Sequence, residues 1–416
     1  MRVFSTRGGS EVSLSEAISL GLAPDGGLYM PPPMPAQRGP WGDELRSRAV
    51  SLLRPFFVDE PLADALPEII AEAFTFDAPT KWLSADTGLL ELFHGPTAAF
   101  KDFGARFLAA CLARLQKPGR ETTVLVATSG DTGAAVASAF HGRPGFRVVI
   151  LYPDGRVSPR QAHQLGAFGG NVKALRVAGT FDDCQRLVKA AFSDASLSAE
   201  HALASANSIS LGRLLPQMAY YAHASLSAVA RGQGSPSFVI PTGNLGNAFA
   251  CLLARECGLP IDRVVLATNA NRVLADLVAT GHYEPKASIA TLANAMDVGA
   301  PSNVERLRHR FPDVAKVVEA DWVDDETIRA TIKASPEVIC PHTACGVEVL
   351  RRLRARGAKG TWIVAATAHP AKFDSIVEPL IGRPVPVPPA LAELLARPAV
   401  AVPIAPSLDA LAAQLR

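Results

Sequence analysis

Five short runs of aliphatic and β-branched residues constrain this chain more than any other feature. They are TTVLVAT (122–128), RVVILYP (147–153), SFVIPT (237–242), RVVLATN (263–269) and TWIVAAT (361–367). Each run is continuously apolar rather than alternating, which is the pattern of a strand covered on both faces. Each is followed by a helical pattern, and strand–helix alternation requires parallel sheets with crossover helices. The runs fall into two groups, near 122–178 and from about 237 to 367. This predicts two α/β domains, each a parallel sheet between helical layers, with a cleft between them. The 416 residues suffice for two or three domains.

Residues 1–80 differ. PDGG (24–27) and PPPMP (31–35) are turn and breaker clusters, and LADALPEIIAEAF (62–74) has helical spacing. The expected organisation is a small, mostly helical N-terminal lobe over 1–80. A large domain follows over 81–120 and 211–416, with a small domain over 121–210 inserted in it. The Ala/Leu/Pro-rich tail reads as short amphipathic helices broken by Pro403 and Pro406.

Lys plus Arg is 41 and Asp plus Glu is 39, so no charge excess favours nucleic acid or an acidic membrane as a partner. No apolar run reaches the ~18 residues a membrane span needs. The first residues lack the apolar core of a signal peptide, so a cytoplasmic location is expected. Cys111, Cys184, Cys251, Cys257, Cys340 and Cys345 contain no CxxC pair, and no metal site is expected. These limits point to an enzyme acting on small molecules.

Two strand–glycine loop–helix units stand out: TTVLVATSGDTGAAVASAF and SFVIPTGNLGNAFACLLAREC. Backbone N–H groups at a helix N-terminus lack partners and carry partial positive charge, and glycine lets an anion approach them. One such turn alone is more often structural. Neither is GxGxxG or GxxxxGK[ST], which disfavours a nicotinamide oxidoreductase and a P-loop ATPase. Two anion loops in two domains suit a ligand, or ligand pair, with two anionic ends.

Between these features lies FHGPTAAFKDFGARFLAACLARL. Phe103, Phe107, Leu108, Cys111, Leu112 and Leu115 recur at helical spacing, which places Lys101 near the helix start beside Phe100 and Phe103. An apolar setting and the positive end of the helix dipole both lower a lysine pKa, as an amine nucleophile or base requires. A random lysine is a surface lysine. A lysine with two anion loops is the set of groups pyridoxal 5'-phosphate needs: an amine for its aldehyde, one loop for its phosphate, and one for the substrate carboxylate.

FHGPTAAFKDFG, ATSGDTGAAVASAF, SANSISLGRLLPQ, PTGNLGNAFA, TLANAMDVGAPSN and ATAHPAKF occur in this order. Together they resemble the threonine synthases of bacterial and fungal type, within the fold-type-II pyridoxal-phosphate enzymes of the tryptophan-synthase-β group. The opening STRGG and LSEAISLGLAPDGGLYMP resemble that family's N-terminal lobe. The resemblance runs from residue 5 to about residue 380, and the tail beyond carries none of these motifs.

The resemblance implies that Lys101 holds the cofactor and is catalytic. Gly243, Asn244, Leu245, Gly246 and Asn247 would wrap its phosphate, and Thr367 would hydrogen-bond its pyridine nitrogen. Ser129, Gly130, Asp131 and Thr132 would face the substrate carboxylate and the cofactor ring. Relatives outside threonine synthase carry Asn at Asp131. An ionised carboxylate cannot donate to the cofactor's phenolate oxygen, so Asn207 is an alternative group there. A threonine hydroxyl facing a neutral pyridine nitrogen makes a weaker electron sink than an aspartate partner would, which limits transamination. For the substrate phosphate the candidates are Ser158 and Arg160, then Asn207 and Arg213. Each arginine is equally readable as a surface ion-pair partner. Lys173, His94, His163, His342 and His369 are weaker candidates, and His369 suits a role in positioning Thr367.

The activity implied is conversion of O-phospho-L-homoserine and water to L-threonine and phosphate. Two alternatives stay open: another fold-type-II enzyme such as a threonine or serine dehydratase, and a non-catalytic relative that binds a phospho-ligand.

Overall fold

The computed structural model describes residues 1–9, 11–116 and 119–416. Strands β1 (Arg2–Ser5), β2 (Val12–Ser13) and β3 (Tyr29–Met30) form a small antiparallel sheet in the order β2-β1-β3. β4 (Thr80–Trp82) and β5 (Thr87–Glu91) enter a larger sheet. The chain then builds most of a smaller sheet from β6 (Thr122–Ala127), β7 (Phe146–Pro153), β8 (Val172–Val177) and β9 (Leu203–Ser205). It returns to the larger sheet with β10 (Ser237–Pro241), β11 (Val264–Thr268), β12 (Glu319–Trp322) and β13 (Trp362–Ala366). β14 (Val402–Ile404) goes back to the smaller one.

The larger sheet has the order β12-β11-β10-β13-β5-β4, and β4 is its antiparallel edge. Register places Trp362 opposite Thr87, Ala366 opposite Glu91, and Val239 opposite Val364. The smaller sheet, β14-β8-β7-β6-β9, is parallel throughout. Every residue of β10, β11 and β13 is buried, which is why their sequences do not alternate.

The strand pleat explains the layers. Phe238 and Ile240 of β10 join one core, and Val239 between them joins another on the opposite face. Val124 and Val126 of β6 likewise face away from Leu125 and Ala127. Each sheet is therefore sandwiched between helical layers. The core containing Phe238 also takes in Phe56, Phe57, Ile69 and Ile70, so the N-terminal lobe packs on the same mass of apolar side chains.

Two expectations need amendment. The N-terminal lobe holds the helices Leu14–Leu20, Leu45–Leu53 and Leu66–Ala73, but also the β1–β3 sheet, whose strands are too short to show periodicity. The tail does not stay with the large domain. Pro403 lies inside β14, an edge strand, where a missing N–H is tolerated. The final helix, Leu408–Leu415, puts Leu411 and Leu415 into the core of Leu187 and Val188. Arg147 and Lys173 hold its end, both donating to the carbonyl of Gln414 at 2.9 and 3.1 Å. Residues 402–415 thus complete the small domain, contrary to the 211–416 assignment.

Candidate active site

Apart from the weaker candidates Lys173 and His342, the sequence-derived candidates follow the C-terminal end of a parallel strand. β5 leads to Lys101, β10 to Gly243–Asn247 and β13 to Thr367. β6 leads to Ser129–Thr132, β7 to Ser158 and Arg160, and β9 to Asn207 and Arg213. In open α/β sheets this is the edge where ligands bind.

Because β5 pairs with β13, the segment after β5 stays paired with the end of β13. The N–H of Phe100 donates to Thr367 O at 2.9 Å, and the N–H of His369 donates to Ala98 O at 3.0 Å. A bridge joins Ala99 and Ala368. Lys101 and Thr367 are thereby held side by side by backbone, independent of side-chain packing. Ala98 takes a left-handed φ of 55° to make this turn. Lys101 then opens the helix Lys101–Leu115. Asp102 accepts from the Thr97 N–H at 2.8 Å and the Thr97 hydroxyl at 2.7 Å, favourably placed at the positive helix end. A Cβ on Gly95 would lie 2.4 Å from Asp102 Oδ2, so this tight loop requires glycine there.

The Lys101 amine lies 4.6 Å from the Phe100 ring centroid, deep in protein yet with some surface still accessible. Burial lowers its pKa from 10.5 to about 8; the positive charge of Arg213 adds to this and Asp131 opposes it. Asp102 moves the other way. Burial lifts its carboxyl to about 6, although Thr97 and the charges of Lys372 and Arg106 oppose the rise.

The loop after β10 is built for an anion. Leu245 is left-handed at φ 67° and caps the helix Gly246–Glu256. Among the described residues, no backbone N–H from Gly243 to Asn247 donates to a backbone carbonyl. Side chains fix the loop from behind. Asn244 donates to the Ser208 hydroxyl at 2.7 Å and accepts from the Ser302 N–H at 2.6 Å. Asn303 donates to Asn244 O at 2.9 Å and is itself held by Arg306 at 2.7 Å. Thr242 donates to Asn247 Oδ1 at 2.7 Å. A Cβ on Gly243 would meet the Met296 Cα at 2.7 Å, whereas one on Gly246 would meet nothing closer than 3.6 Å. Gly246 thus leaves room for a methyl group, which would meet Asn303 and Ser208 in ordinary van der Waals contact. Arg306 is fully buried and makes no ion pair among the described residues; burial lowers its pKa to about 9, so it stays positive at neutral pH. A row of free N–H groups, a Cβ-sized gap and a buried cation fit a phosphate monoester such as that of pyridoxal phosphate.

The loop after β6 resembles it only in outline. Gly130 has φ 132°, and a Cβ there would collide with the Gln161 amide at 2.6 Å. The Thr128 hydroxyl accepts from the N–H groups of Gly130 and Gly133 at 2.9 and 2.8 Å. Ser129 and Thr132 keep accessible surface, but Asp131 is buried. Its Oδ1 accepts from Lys372 Nζ at 2.8 Å and Gln161 Nε2 at 2.9 Å. Burial alone would raise the Asp131 pKa; Lys372, His342 and the two hydrogen bonds outweigh it, and the carboxylate stays below its usual value.

Three candidates spend hydrogen bonds on groups inside the protein. Ser158 caps the helix Pro159–Gly166 and donates to Lys372 O at 2.9 Å. Arg160 donates to Ala371 O at 2.6 Å and pairs with Asp374 at 3.1 Å. Both hold the turn after Thr367 across the domain boundary. Arg213 is wholly buried, donates to Ala206 O at 2.6 Å, and has an unpartnered Nε beside Gly104. It acts on Lys101 through its charge. The Asn207 side chain is partly exposed in the segment after β9.

Sequence reasoning missed Lys372, Gln161, Asn294 and Arg306. Gln161 Oε1 accepts from Asn294 Nδ2 at 2.9 Å, joining the TLANAMD segment to the small domain. Asn294 and Lys372 lie in quoted motifs, but nothing in those strings marks Lys372 as buried or Asn294 as a partner of Gln161. His342 is enclosed, and burial holds its pKa at about 4, so it is neutral and accepts from the Ala295 N–H at 3.1 Å. His369 is also held near 4 by burial, and it caps the turn Pro370–Phe373. His94 pairs with Glu91, and His163 contacts Arg397 O. All six cysteines are buried and free.

With this geometry in place, comparison with known proteins is specific. The family model for pyridoxal-phosphate dependent enzymes matches residues 87–367. Models for the N terminus and the C-terminal part of threonine synthase match residues 2–74 and 343–414. The tail beyond residue 380 therefore does belong to the family pattern. The threonine synthase of Escherichia coli K12 is 40% identical over 407 residues, covering 94% of each chain. The crystal structure of the Escherichia coli threonine synthase superposes with a TM-score of 0.92 at 38% identity, covering 100% of this chain and 99% of that one. The pyridoxal-phosphate-bound threonine synthase of Brucella melitensis gives 0.89 at 34% identity, covering 100% and 98%.

Proposed function

The chain belongs to the threonine synthases of the pyridoxal-phosphate-dependent enzyme family, and on that premise we propose that it converts O-phospho-L-homoserine and water to L-threonine and phosphate, with Lys101 as the amine that holds the cofactor and moves protons. When bound, pyridoxal phosphate supplies an electron sink for negative charge developing at the substrate α carbon. The remaining work falls to the chain's own groups. With a pKa of about 8, the Lys101 amine is partly neutral at working pH and can take a proton at the α carbon, then at the β carbon, and return it. Phosphate departs from the γ carbon, which takes up a proton to become the methyl group; the hydroxyl of water joins the β carbon, and the α carbon regains its proton.

Gly243–Asn247 would seat the cofactor phosphate on backbone N–H groups. Thr367 would donate its hydroxyl to the pyridine nitrogen. Ser129, Gly130 and Thr132 would receive the substrate carboxylate at the start of the helix Asp131–Phe140. Asp131 is already occupied by Lys372 and Gln161, which supports Asn207 as the group nearest the cofactor's phenolate oxygen. Ser158 and Arg160 would meet the substrate phosphate only after releasing the carbonyls of Lys372 and Ala371. Arg213 serves as a fixed charge beside Lys101. The domains are taken as 1–80, 81–120 with 211–416, and 121–210, with residues 402–415 reassigned to the last.

One observation carries this reading: backbone pairing fixes Lys101 beside Thr367 at the strand ends that also present the Gly243–Asn247 loop. The test is to supply O-phospho-L-homoserine to holoenzyme and measure phosphate and threonine together. Equal amounts support it. A keto acid and ammonia from unphosphorylated threonine or serine, without phosphate release, would make the protein a dehydratase.

A further inference from the structure

We propose that Lys372 is a positioning residue for the reaction: its ammonium clamps Asp131 of the small domain to the turn that carries Lys101, and so cancels the charge that Asp131 would otherwise present to that amine. This rests on reading Lys101 as the reacting amine.

Lys372 is fully buried, an expensive place for an ammonium unless it is paired. Its Nζ donates to Asp131 Oδ1 at 2.8 Å and to Thr97 O at 2.8 Å. Thr97 gives both its N–H and its hydroxyl to Asp102, the neighbour of Lys101. One continuous chain of contacts therefore links the small-domain loop, Lys372 and the first turn of the Lys101 helix. The backbone of Lys372 is engaged as well, since Ser158 takes its carbonyl and Arg160 takes that of Ala371. Main chain and side chain both cross the domain boundary at this one turn, four and five residues after Thr367.

The groups acting on Lys101 come from every surrounding element. Arg213 follows β9, Asp131 follows β6, His342 lies near the start of the helix Pro341–Ala355, and Asp102 is on its own helix. His342 is neutral. Arg213 and Asp131 act on Lys101 with opposite sign, Lys372 is the cation bonded to Asp131, and Lys372 and Arg106 act on Asp102. Removing Lys372 leaves one carboxylate in excess beside the amine. A nearby unpaired anion stabilises an ammonium and raises its proton affinity by one to three pKa units at close range.

The test begins with cofactor-free protein. The pH dependence of Lys101 acetylation by acetic anhydride is followed by peptide mass spectrometry in wild type, Lys372→Met, Asp131→Asn and the double variant. The labelling midpoint is expected to rise by about one unit in Lys372→Met, a tenfold loss of neutral amine at pH 7. The double variant should return it to the wild-type value. A folded Lys372→Met with lowered thermal stability and an unmoved midpoint would reduce Lys372 to a structural brace and overturn the proposal. If Lys372→Met does not fold, Asp131→Asn decides alone: its midpoint must fall, and an unchanged value overturns the proposal. Because labelling needs neither cofactor nor turnover, these outcomes stand apart from whether Lys101→Ala abolishes activity.

Discussion

The loops at Gly243–Asn247 and Ser129–Gly133 look alike as sequence, each a buried strand, a small glycine turn and an alanine-containing helix. In three dimensions they do opposite things. At Gly243–Asn247 the backbone N–H groups are left free, side chains brace the loop from behind, and the buried cation Arg306 is linked to it through Asn303. At Ser129–Gly133 the protein brings its own carboxylate, Asp131, and binds it with its own ammonium, Lys372. A helix N-terminus becomes an anion site only where no internal group satisfies it. We therefore read the first loop as the seat for a permanent phosphate; in the second, Ser129 and Thr132 keep surface for a substrate carboxylate, while Asp131 is already bonded to Lys372 and shapes the setting of Lys101.

The largest effect on this contrast is expected at Arg306. Its guanidinium donates to Tyr29 O, Asn303 Oδ1 and Ile209 O, so Arg306→Leu leaves buried acceptors bare and frees the loop brace. A loss of about 3–5 kcal/mol in denaturant unfolding is expected, with weaker cofactor retention. Gly246→Ala isolates the ligand side of the same loop. No protein atom obstructs a Cβ there, so unfolding of the cofactor-free protein should barely change, while pyridoxal phosphate binding by absorbance titration weakens about 10–100-fold. Equal affinity would mean that the phosphate sits elsewhere.

On the Lys101 side, pH supplies the probe. Its folded pKa of about 8 lies below the ordinary 10.5, so the unfolded chain binds more protons between those values. Stability therefore rises with pH from about 8 to about 10.5, and the penalty is present in full below 8. Lys101→Met should stabilise cofactor-free protein by about 1–3 kcal/mol at pH 7 and by nothing above about pH 10.5, as read from urea unfolding at both pH values. The smallest effect is at Ala98. Glycine there relieves a left-handed φ of 55° and should add up to about 1 kcal/mol to the same measurement.

The parts of this molecule that were readable from sequence share one property: each is a local pattern with a local cause. β6, β7, β10, β11 and β13 announced themselves because burial on both faces leaves an unbroken apolar string. Lys101 stood out because helix phase, flanking phenylalanines and glycine turns all lie within one short segment. The parts that were not readable depend on partners far away in the chain. β14 is too short to signal itself and forms only because β8 offers an edge. Arg306 sits in VERLRHR, which reads as a charged surface helix, and it is buried only because Tyr29 and Asn303 surround it. Lys372 is one lysine in PAKF until Asp131 and Thr97 close around it. The sequence offers Arg160 and Ser158 as groups for the substrate phosphate; that they grip the turn after Thr367 is a fact of domain packing.

Among the described residues, Lys101 and Lys372 both lie deep at these strand ends, and we assign them different duties: Lys101 would carry the cofactor, whereas Lys372 holds Asp131. Borohydride reduction of holoenzyme followed by peptide mapping separates them. The account predicts the pyridoxyl mass on the peptide containing Lys101 and on no other. Finding it on Lys372, or on a lysine outside the cleft, would contradict the account at its root.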